Sequence, residues 1–266
     1  MRFISDFGAL LKIGGFGATI QILRVKYEFF MKADLHMHTT FSDGISTPEE
    51  MVETAVKRGI KCICITDHDT LEGAAKAIKF ASNKDILVIS GIELVSTSGD
   101  ILGINVKRII PSGLSAKDTV KEIRKQGGIA VIPHPFNKPL NAFWGGENAL
   151  AKLFPDAIEA FNASVAFSYF NKKALNFSRK NNLSFTAGSD SHNKKYVGRG
   201  YIEVSDNILN EKDLVKAIME KKAGLGGEKL SAWEIVKNGG HTDVKDIISY
   251  MLYKRKNKNL DAKILL

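Results

Sequence analysis

From about residue 32 to residue 204, short apolar runs alternate with longer amphipathic stretches, and this alternation constrains the fold more than any other feature of the chain. It predicts consecutive β/α units and therefore an α/β domain. The strand candidates are Ala33–His36, Cys62–Thr66, Ile86–Ser90, Ile101–Val106, Ile129–Ile132, Ala157–Phe161, Ser184–Ala187 and Tyr201–Val204. Most are unbroken apolar runs, the pattern of parallel strands covered on both faces.

Helix signals fall between these runs. Thr47-Pro48-Glu49-Glu50 offers a capping threonine, a proline in the first turn and a glutamate placed to bond back to the cap. Val52, Ala55 and Val56 supply an apolar face, and Gly59 ends the helix. Ser115 and Asp118 open a second helix, which Gly127-Gly128 terminates before the Ile129 strand. Asp69 is expected to cap a third, containing Ala74, Ala75 and Ile78, so that His68 stands at the C-terminal end of the preceding strand. In α/β barrels that end of the strands carries the active site.

The histidines carry the chemical signal. Five of the six follow or end apolar strand candidates, in Asp34-Leu35-His36-Met37-His38, Thr66-Asp67-His68-Asp69, Pro133-His134-Pro135 and Ser189-Asp190-Ser191-His192. Residues two apart on an extended segment project to the same side, so His36 and His38 can reach one metal ion, and Asp190 and His192 repeat the arrangement. A single strand-end histidine is ordinarily a hydrogen-bonded structural residue, and an Asp-Gly pair such as Asp43-Gly44 is ordinarily a turn. Five histidines in such company read differently. With Asp43 and Glu93 they make eight candidate ligands, His36, His38, Asp43, His68, Glu93, His134, Asp190 and His192, more than one ion can use. Imidazoles and carboxylates without thiolate favour Zn, Mn or Fe. A carboxylate such as Glu93 can bridge two ions about 3.5–4 Å apart, the arrangement that activates water against a phosphate ester.

At these residues the chain resembles the PHP (polymerase and histidinol phosphatase) family of metal-dependent phosphoesterases. Four motifs stand in the family's order: Asp34 to Gly44, Ile65-Thr66-Asp67-His68-Asp69, His134-Pro135, and Gly188-Ser189-Asp190-Ser191-His192. The resemblance implies a distorted, TIM-like (β/α)7 barrel over residues 32–205, preceded by an N-terminal extension (1–31) and followed by a helical, basic extension (206–266). It implies two or three divalent transition metal ions. His36, His38 and Asp190 would hold one, Glu93 would bridge to a second held by His134, and Asp43, His68 and His192 would form a further site. His36, Glu93, Asp190 and His192 are the residues it makes catalytic. One departure bears on substrate: members acting on histidinol phosphate supply another histidine near the end of the sixth strand, where this chain has Asn162. Shorter, nucleotide-directed members tend to carry asparagine there, with a later segment like Val197-Gly198-Arg199-Gly200.

The activity this implies is hydrolysis, by metal-activated water, of phosphomonoesters of a nucleotide or other small metabolite, or of terminal phosphodiesters in short oligonucleotides. Arg199 and Asn162 are the expected substrate contacts, because a guanidinium grips phosphate at two points. The rivals are a nucleic-acid-associated PHP module with weak or no turnover, and a metal-dependent C–N hydrolase on a similar barrel. Nucleophilic catalysis has little support, since Gly-x-Ser-x-Gly is absent and Cys62 and Cys64 sit in an apolar strand.

Composition adds limits. Lys+Arg 38 against Asp+Glu 29 leaves +9, and the last thirty residues carry seven basic and three acidic side chains, a surplus of 7 − 3 = +4. That tail reads as a solvated face. The glycine-rich stretches Gly14–Gly17 and Gly224–Gly227 lack the Lys-Ser/Thr ending of a phosphate loop and read as turns; His241 has no assigned role. Two cysteines facing one way, no apolar run near 18 residues and no compact signal segment predict a reduced, cytoplasmic protein with no obligate protein partner.

Overall fold

The computed structural model describes residues 2–12, 19–28, 30–137, 143 and 145–238. Two N-terminal strands, β1 (Arg2–Lys12) and β2 (Thr19–Glu28), pair antiparallel in a sheet of their own. The remaining strands share one sheet: β3 (Phe30–Asp34), β4 (Ile60–Ile65), β5 (Leu87–Ser96), β6 (Gly99–Ile104), β7 (Ile129–Ile132), β8 (Ala157–Asn162), β9 (Ser184–Gly188), β10 (Gly200–Ser205) and β11 (Gly224–Gly227). Its order is β11-β10-β3-β4-β5-β6-β7-β8-β9. Helices α1 (Pro48–Lys57), α2 (Glu72–Ala81), α3 (Ala116–Lys125), α4 (Gly146–Leu153), α5 (Ser168–Lys180), α6 (Glu211–Met219) and α7 (Ala232–Asn238) alternate with the strands.

Strands β3 to β9 form a barrel-like, nearly closed sheet. Along the upper half of β3 and the residues that follow it, Leu35 donates its backbone N–H to Ala187 (3.3 Å), His38 donates to Ser191 (2.8 Å) and Asp190 donates to His36 (2.8 Å). The lower half of the same edge pairs with β10, antiparallel, from Ile202↔Ala33 to Ser205↔Phe30. Three chain segments thus converge at one point, which only glycine permits. A Cβ on Gly188 would stand 2.3 Å from the Cβ of His36, and one on Gly200 would stand 2.0 Å from the Gly188 carbonyl oxygen. Asp34 fastens the junction by accepting the Ser189 and Gly198 N–H groups at 2.8 and 2.7 Å. Burial pushes its carboxyl up to about 6, against those hydrogen bonds.

The sheet differs from a uniform parallel β/α alternation at β10, which follows β9 without an intervening α-helix and lies antiparallel to β3, and at β6. Strand β6, expected as another parallel strand, returns directly from β5 as an antiparallel hairpin and also runs antiparallel to β7. Ser96 caps the tight return by donating its hydroxyl to the Gly99 carbonyl (2.5 Å). Both faces of a reversed strand are as buried as those of a parallel one, so an apolar run cannot report the direction.

Alternation along the strands divides the core. Leu35, Cys62, Cys64, Ile89, Leu102, Ile104 and Val131 fill the barrel interior with Ile202 and Val204. Ile63 and Ile65 face Val52, Ala55, Ala74 and Ala77 of α1 and α2, while Ile92, Ile101, Ala130 and Ile158 face α3 and α5. The Thr47/Glu50 capping box and the Ser115 cap form as expected. Asp69 does not cap α2: its φ is +54°, and Thr70 Oγ1 accepts the Glu72 N–H instead.

The segment after β10 is part of the fold up to Asn238. Leu214, Ala217 and Ile218 of α6 close the bottom of the interior cluster, and Leu230 and Ile235 pack on Ala163 and Tyr196. Residues 224–227, expected as a turn, form β11 against β10, where a Cβ on Gly226 would meet the Tyr201 ring at 2.2 Å. Gly14–Gly17, His241 and most of the basic tail lie outside the described residues. No helix among the described residues is long and apolar enough to cross a membrane.

Candidate metal centre

The eight side chains singled out in the sequence converge at the C-terminal mouth of the barrel. His36 and His38 follow β3, Asp43 lies on the loop to α1, His68 follows β4, Glu93 is on β5, His134 follows β7, and Asp190 and His192 follow β9. His36, His38 and Glu93 are buried to within 2% of full exclusion.

Glu93 is the centre of the arrangement. Its Oε2 lies 3.2 Å from His36 Nε2, 3.1 Å from His38 Nε2 and 3.8 Å from His68 Nε2, while Oε1 lies 3.7 Å from His134 Nε2. Asp190 Oδ1 stands 3.5 Å from the Nε2 atoms of both His36 and His38. On the other side Asp43 Oδ2 meets His192 Nε2 at 3.1 Å and His68 Nε2 at 3.8 Å. Donor atoms within 4.8 Å of one another define four overlapping groups: His36/His38/Asp190, His36/Glu93/His134, His38/His68/Glu93 and His38/Asp43/His192.

Two observations fit this cradle to cations. The Nε2 atoms of His36 and His38 approach to 3.1 Å, so two imidazoles aim at one point. The Nδ1 of His38 is buried with no hydrogen-bond partner among the described residues. Asp43 Oδ1 stands 3.5 Å from that nitrogen, too far to satisfy it well, and a divalent ion among such nitrogen and oxygen donors would satisfy both.

The electrostatics point the same way. Burial opposes charge on every group here, yet Asp190, Glu159 and Glu93 hold His36 well above the ordinary imidazole range. Against burial too, Asp190 and Glu93 push His38 up to about 10, and Glu93 and Asp190 push His134 up to about 9. The same pairs drive Glu93 and Asp190 far below the ordinary carboxylate range, overcoming burial. His68 is lowered, chiefly by burial. In the metal-free chain protons on imidazole occupy the positive positions, and cations would displace them.

Residues that sequence reasoning did not single out hold this cluster. Glu159 on β8 accepts the His36 Nδ1–H (2.9 Å) on one oxygen, and the His134 backbone N–H and Asn162 Nδ2 (both 2.9 Å) on the other. With Nδ1 protonated, His36 presents its Nε2 lone pair to the cluster. Asp67 accepts from Thr39 N (2.6 Å), Thr39 Oγ1 (2.7 Å) and Ser42 Oγ (2.8 Å), and so shapes the loop that carries Asp43. Asp100 is a third addition. Opposite residues of an antiparallel pair share a face, so the pairs Glu93↔Leu102 and Val95↔Asp100 put Asp100 on the face of Glu93, one step nearer the mouth. Its carboxyl has no hydrogen bond or ion pair among the described residues. Burial first, then the charge of Glu93, pushes it up to about 6.

The two expected substrate contacts are otherwise engaged. Asn162 is fully buried and its Nδ2 donates to Glu159 Oε2 and, at 3.1 Å, to Asp190 Oδ2, so it positions carboxylates rather than presenting an amide to the mouth. Arg199 turns its guanidinium to Glu234 Oε1 (3.1 Å) and to the Glu228 and Lys229 carbonyls (3.3 and 3.2 Å). Sequence shows that an arginine follows the Asp190/His192 loop; it does not show that Glu234 of α7 returns to meet it.

A seven-stranded barrel with imidazoles and carboxylates gathered where its strands end defines a metallohydrolase class. A model of the PHP domain matches residues 34–107 and one of the PHP-associated region matches residues 168–223. Protein MJ1587 of Methanocaldococcus jannaschii is 34% identical over 157 residues, which are 55% of this chain and 90% of that protein. The chain belongs to the PHP family of metal-dependent phosphoesterases. The 5'-3' exoribonuclease of Haemophilus influenzae is 31% identical over 105 residues, 38% of each chain. A two-domain protein with a PHP-like phosphoesterase from Bacteroides vulgatus shares the fold with a TM-score of 0.65 and 21% identity, over 79% of this chain and 69% of that one.

Proposed function

We propose that the chain hydrolyses phosphomonoesters of nucleotides or other small metabolites, or terminal phosphodiesters of short oligonucleotides, with two or three divalent ions held by the eight residues around Glu93. The observation that carries this reading is the two-sided contact of Glu93, whose oxygens face different histidines and so suit a bridge between ions. Bound divalent ions supply an activated water and offset charge on phosphate oxygens. His36, His38 and Asp190 would hold one ion, His134 with Glu93 would hold a second, and Asp43, His68 and His192 would form a further site.

The chain's own residues do the rest. Glu159 keeps the His36 Nδ1 proton in place, and Asp67 keeps the Asp43 loop against the cluster. Asp100, on the face of Glu93 and with no hydrogen bond or ion pair among the described residues, would pass a proton to the leaving oxygen. The likeness to an exoribonuclease favours a nucleotide or oligonucleotide as the phosphate carrier.

The test is a panel of mononucleotides, nucleotide bisphosphates, short RNA and p-nitrophenyl phosphate, with added Mn, Zn or Fe and metal analysis of the purified chain. Phosphate release that chelator abolishes is expected. Turnover of amides but not esters would instead favour C–N hydrolysis, and salt-dependent binding of RNA or DNA without release would favour a binding module.

A further inference from the structure

We propose that Asn238 of α7 is a positioning residue for the Asp190–His192 ligand turn, and that Arg199 and Glu234 hold α7 in place for it; for its metal consequence the proposal rests on the reading above.

Asp190 has a φ of +51°, a left-handed conformation uncommon for a residue other than glycine and less costly for Asp than for most. Backbone bonds to His36, His38 and Ile45 hold one side of the turn, and two side chains from distant elements, Asn238 and Ser164, hold the other. Asn238 is 2% exposed. Its Oδ1 accepts the His192 backbone N–H at 2.9 Å, and its Nδ2 donates to the Asp190 carbonyl at 2.7 Å and to Ser164 Oγ at 3.0 Å. Ser164 Oγ in turn lies 3.0 Å from the carbonyl oxygens of both Ser189 and Asp190. One carboxamide therefore satisfies a donor and an acceptor on either side of Ser191, and sets the angle between the Asp190 and His192 side chains. Only an amide offers an acceptor and two donors in that plane.

The helix that carries Asn238 is anchored at its other end. Ser231 Oγ accepts the Glu234 N–H (3.3 Å) while Glu234 Oε2 accepts the Ser231 N–H (2.8 Å), leaving Glu234 Oε1 for Arg199 at 3.1 Å. Leu230 donates its N–H to the Ala163 carbonyl at 2.8 Å. Arg199 follows the ligand turn in sequence, so the arginine and the asparagine tie the same turn to α7 from two sides.

Two measurements test this. In the metal-free chain, hydrogen exchange over residues 189–193 reports the latch directly. Asn238→Asp keeps the size but loses both donors, and is expected to speed exchange there at least tenfold while strands β4 and β7 keep their protection. In a titration with Mn or Zn alone, Asn238→Asp and Arg199→Ala are expected to weaken the affinity of one ion by about 10–100-fold, as loss of outer support for ligands does elsewhere. Excess metal restores turnover in both. Wild-type exchange in Asn238→Asp overturns the latch whether or not the chain is a phosphoesterase. A wild-type chain that binds no ion while Asn238→Asp exchanges faster overturns the metal reading and leaves the latch standing. Undisturbed metal affinity in Arg199→Ala, with weaker binding of inorganic phosphate at saturating metal, overturns the clamp in favour of direct phosphate contact.

Discussion

Glu159 and His36 stand 123 positions apart in sequence and meet at 2.9 Å, both buried, with the carboxylate deciding which imidazole nitrogen faces the cluster. The other oxygen of Glu159 accepts from His134 N and Asn162 Nδ2, so the group receives donors on both sides. Glu159→Gln can accept on one side only. It is expected to leave a buried donor unsatisfied, cost about 1–3 kcal/mol of stability and lower metal affinity about 10–100-fold. Chemical denaturation and metal titration check it; wild-type values in both would show that the carboxylate merely fills space.

Removal of His36, Glu93 or Asp190 is expected to abolish turnover and leave the barrel folded. Each touches the shared centre of the cluster. Metal ions contribute several kcal/mol to charge stabilisation, so loss of a shared ligand should lower kcat/KM by at least about 100-fold. Circular dichroism with a phosphate-release assay separates loss of chemistry from loss of fold, and near-normal rates in all three alanine variants would refute the site.

Chelation should make stability pH-dependent in a defined direction. Against the opposing effect of burial, His38 rises to about 10 through Asp190 and Glu93, and His134 to about 9 through Glu93 and Asp190. A histidine whose folded value lies above its unfolded value, about 6.5, stabilises fully below that value and loses the contribution as pH climbs to the folded one. The metal-free chain should therefore lose stability between about pH 6.5 and 10, and the metal-loaded chain should lose much less. Urea midpoints across that range, with and without chelator, provide the comparison.

Asp100→Asn addresses proton delivery. A carboxyl that donates a proton loses that capacity as pH rises past its own value, which in the metal-free chain burial and then the neighbouring Glu93 raise. The falling limb of the rate profile should vanish in Asp100→Asn, with kcat at acid pH lowered about 10²–10⁴-fold and metal content unchanged. An unaltered profile assigns the proton to another donor.

The eight cluster residues are visible in the sequence because the pattern that marks a strand end is local. An apolar run followed by His-x-His, Asp-His-Asp or Asp-Ser-His places a ligand at the barrel mouth without knowledge of its neighbours, and two residues of one extended segment share a side. The eight core strands, the two helix caps and the apolar sheet faces follow from the same short-range periods. The direction of β6 does not, since a buried strand presents the same run whichever way it points. Glu159, Asp100 and Asn238 show no mark of their own in sequence. Asn238 reaches His192 across 46 positions, and Arg199 reaches Glu234 across 35. The sequence by itself determined which groups can bind cations, because side-chain chemistry and a two-residue period suffice for that. Only the tertiary structure decided which of those groups meet, which nitrogen of His36 they see and which carboxylate Arg199 meets, because those depend on hydrogen bonds closed between segments that sequence keeps far apart.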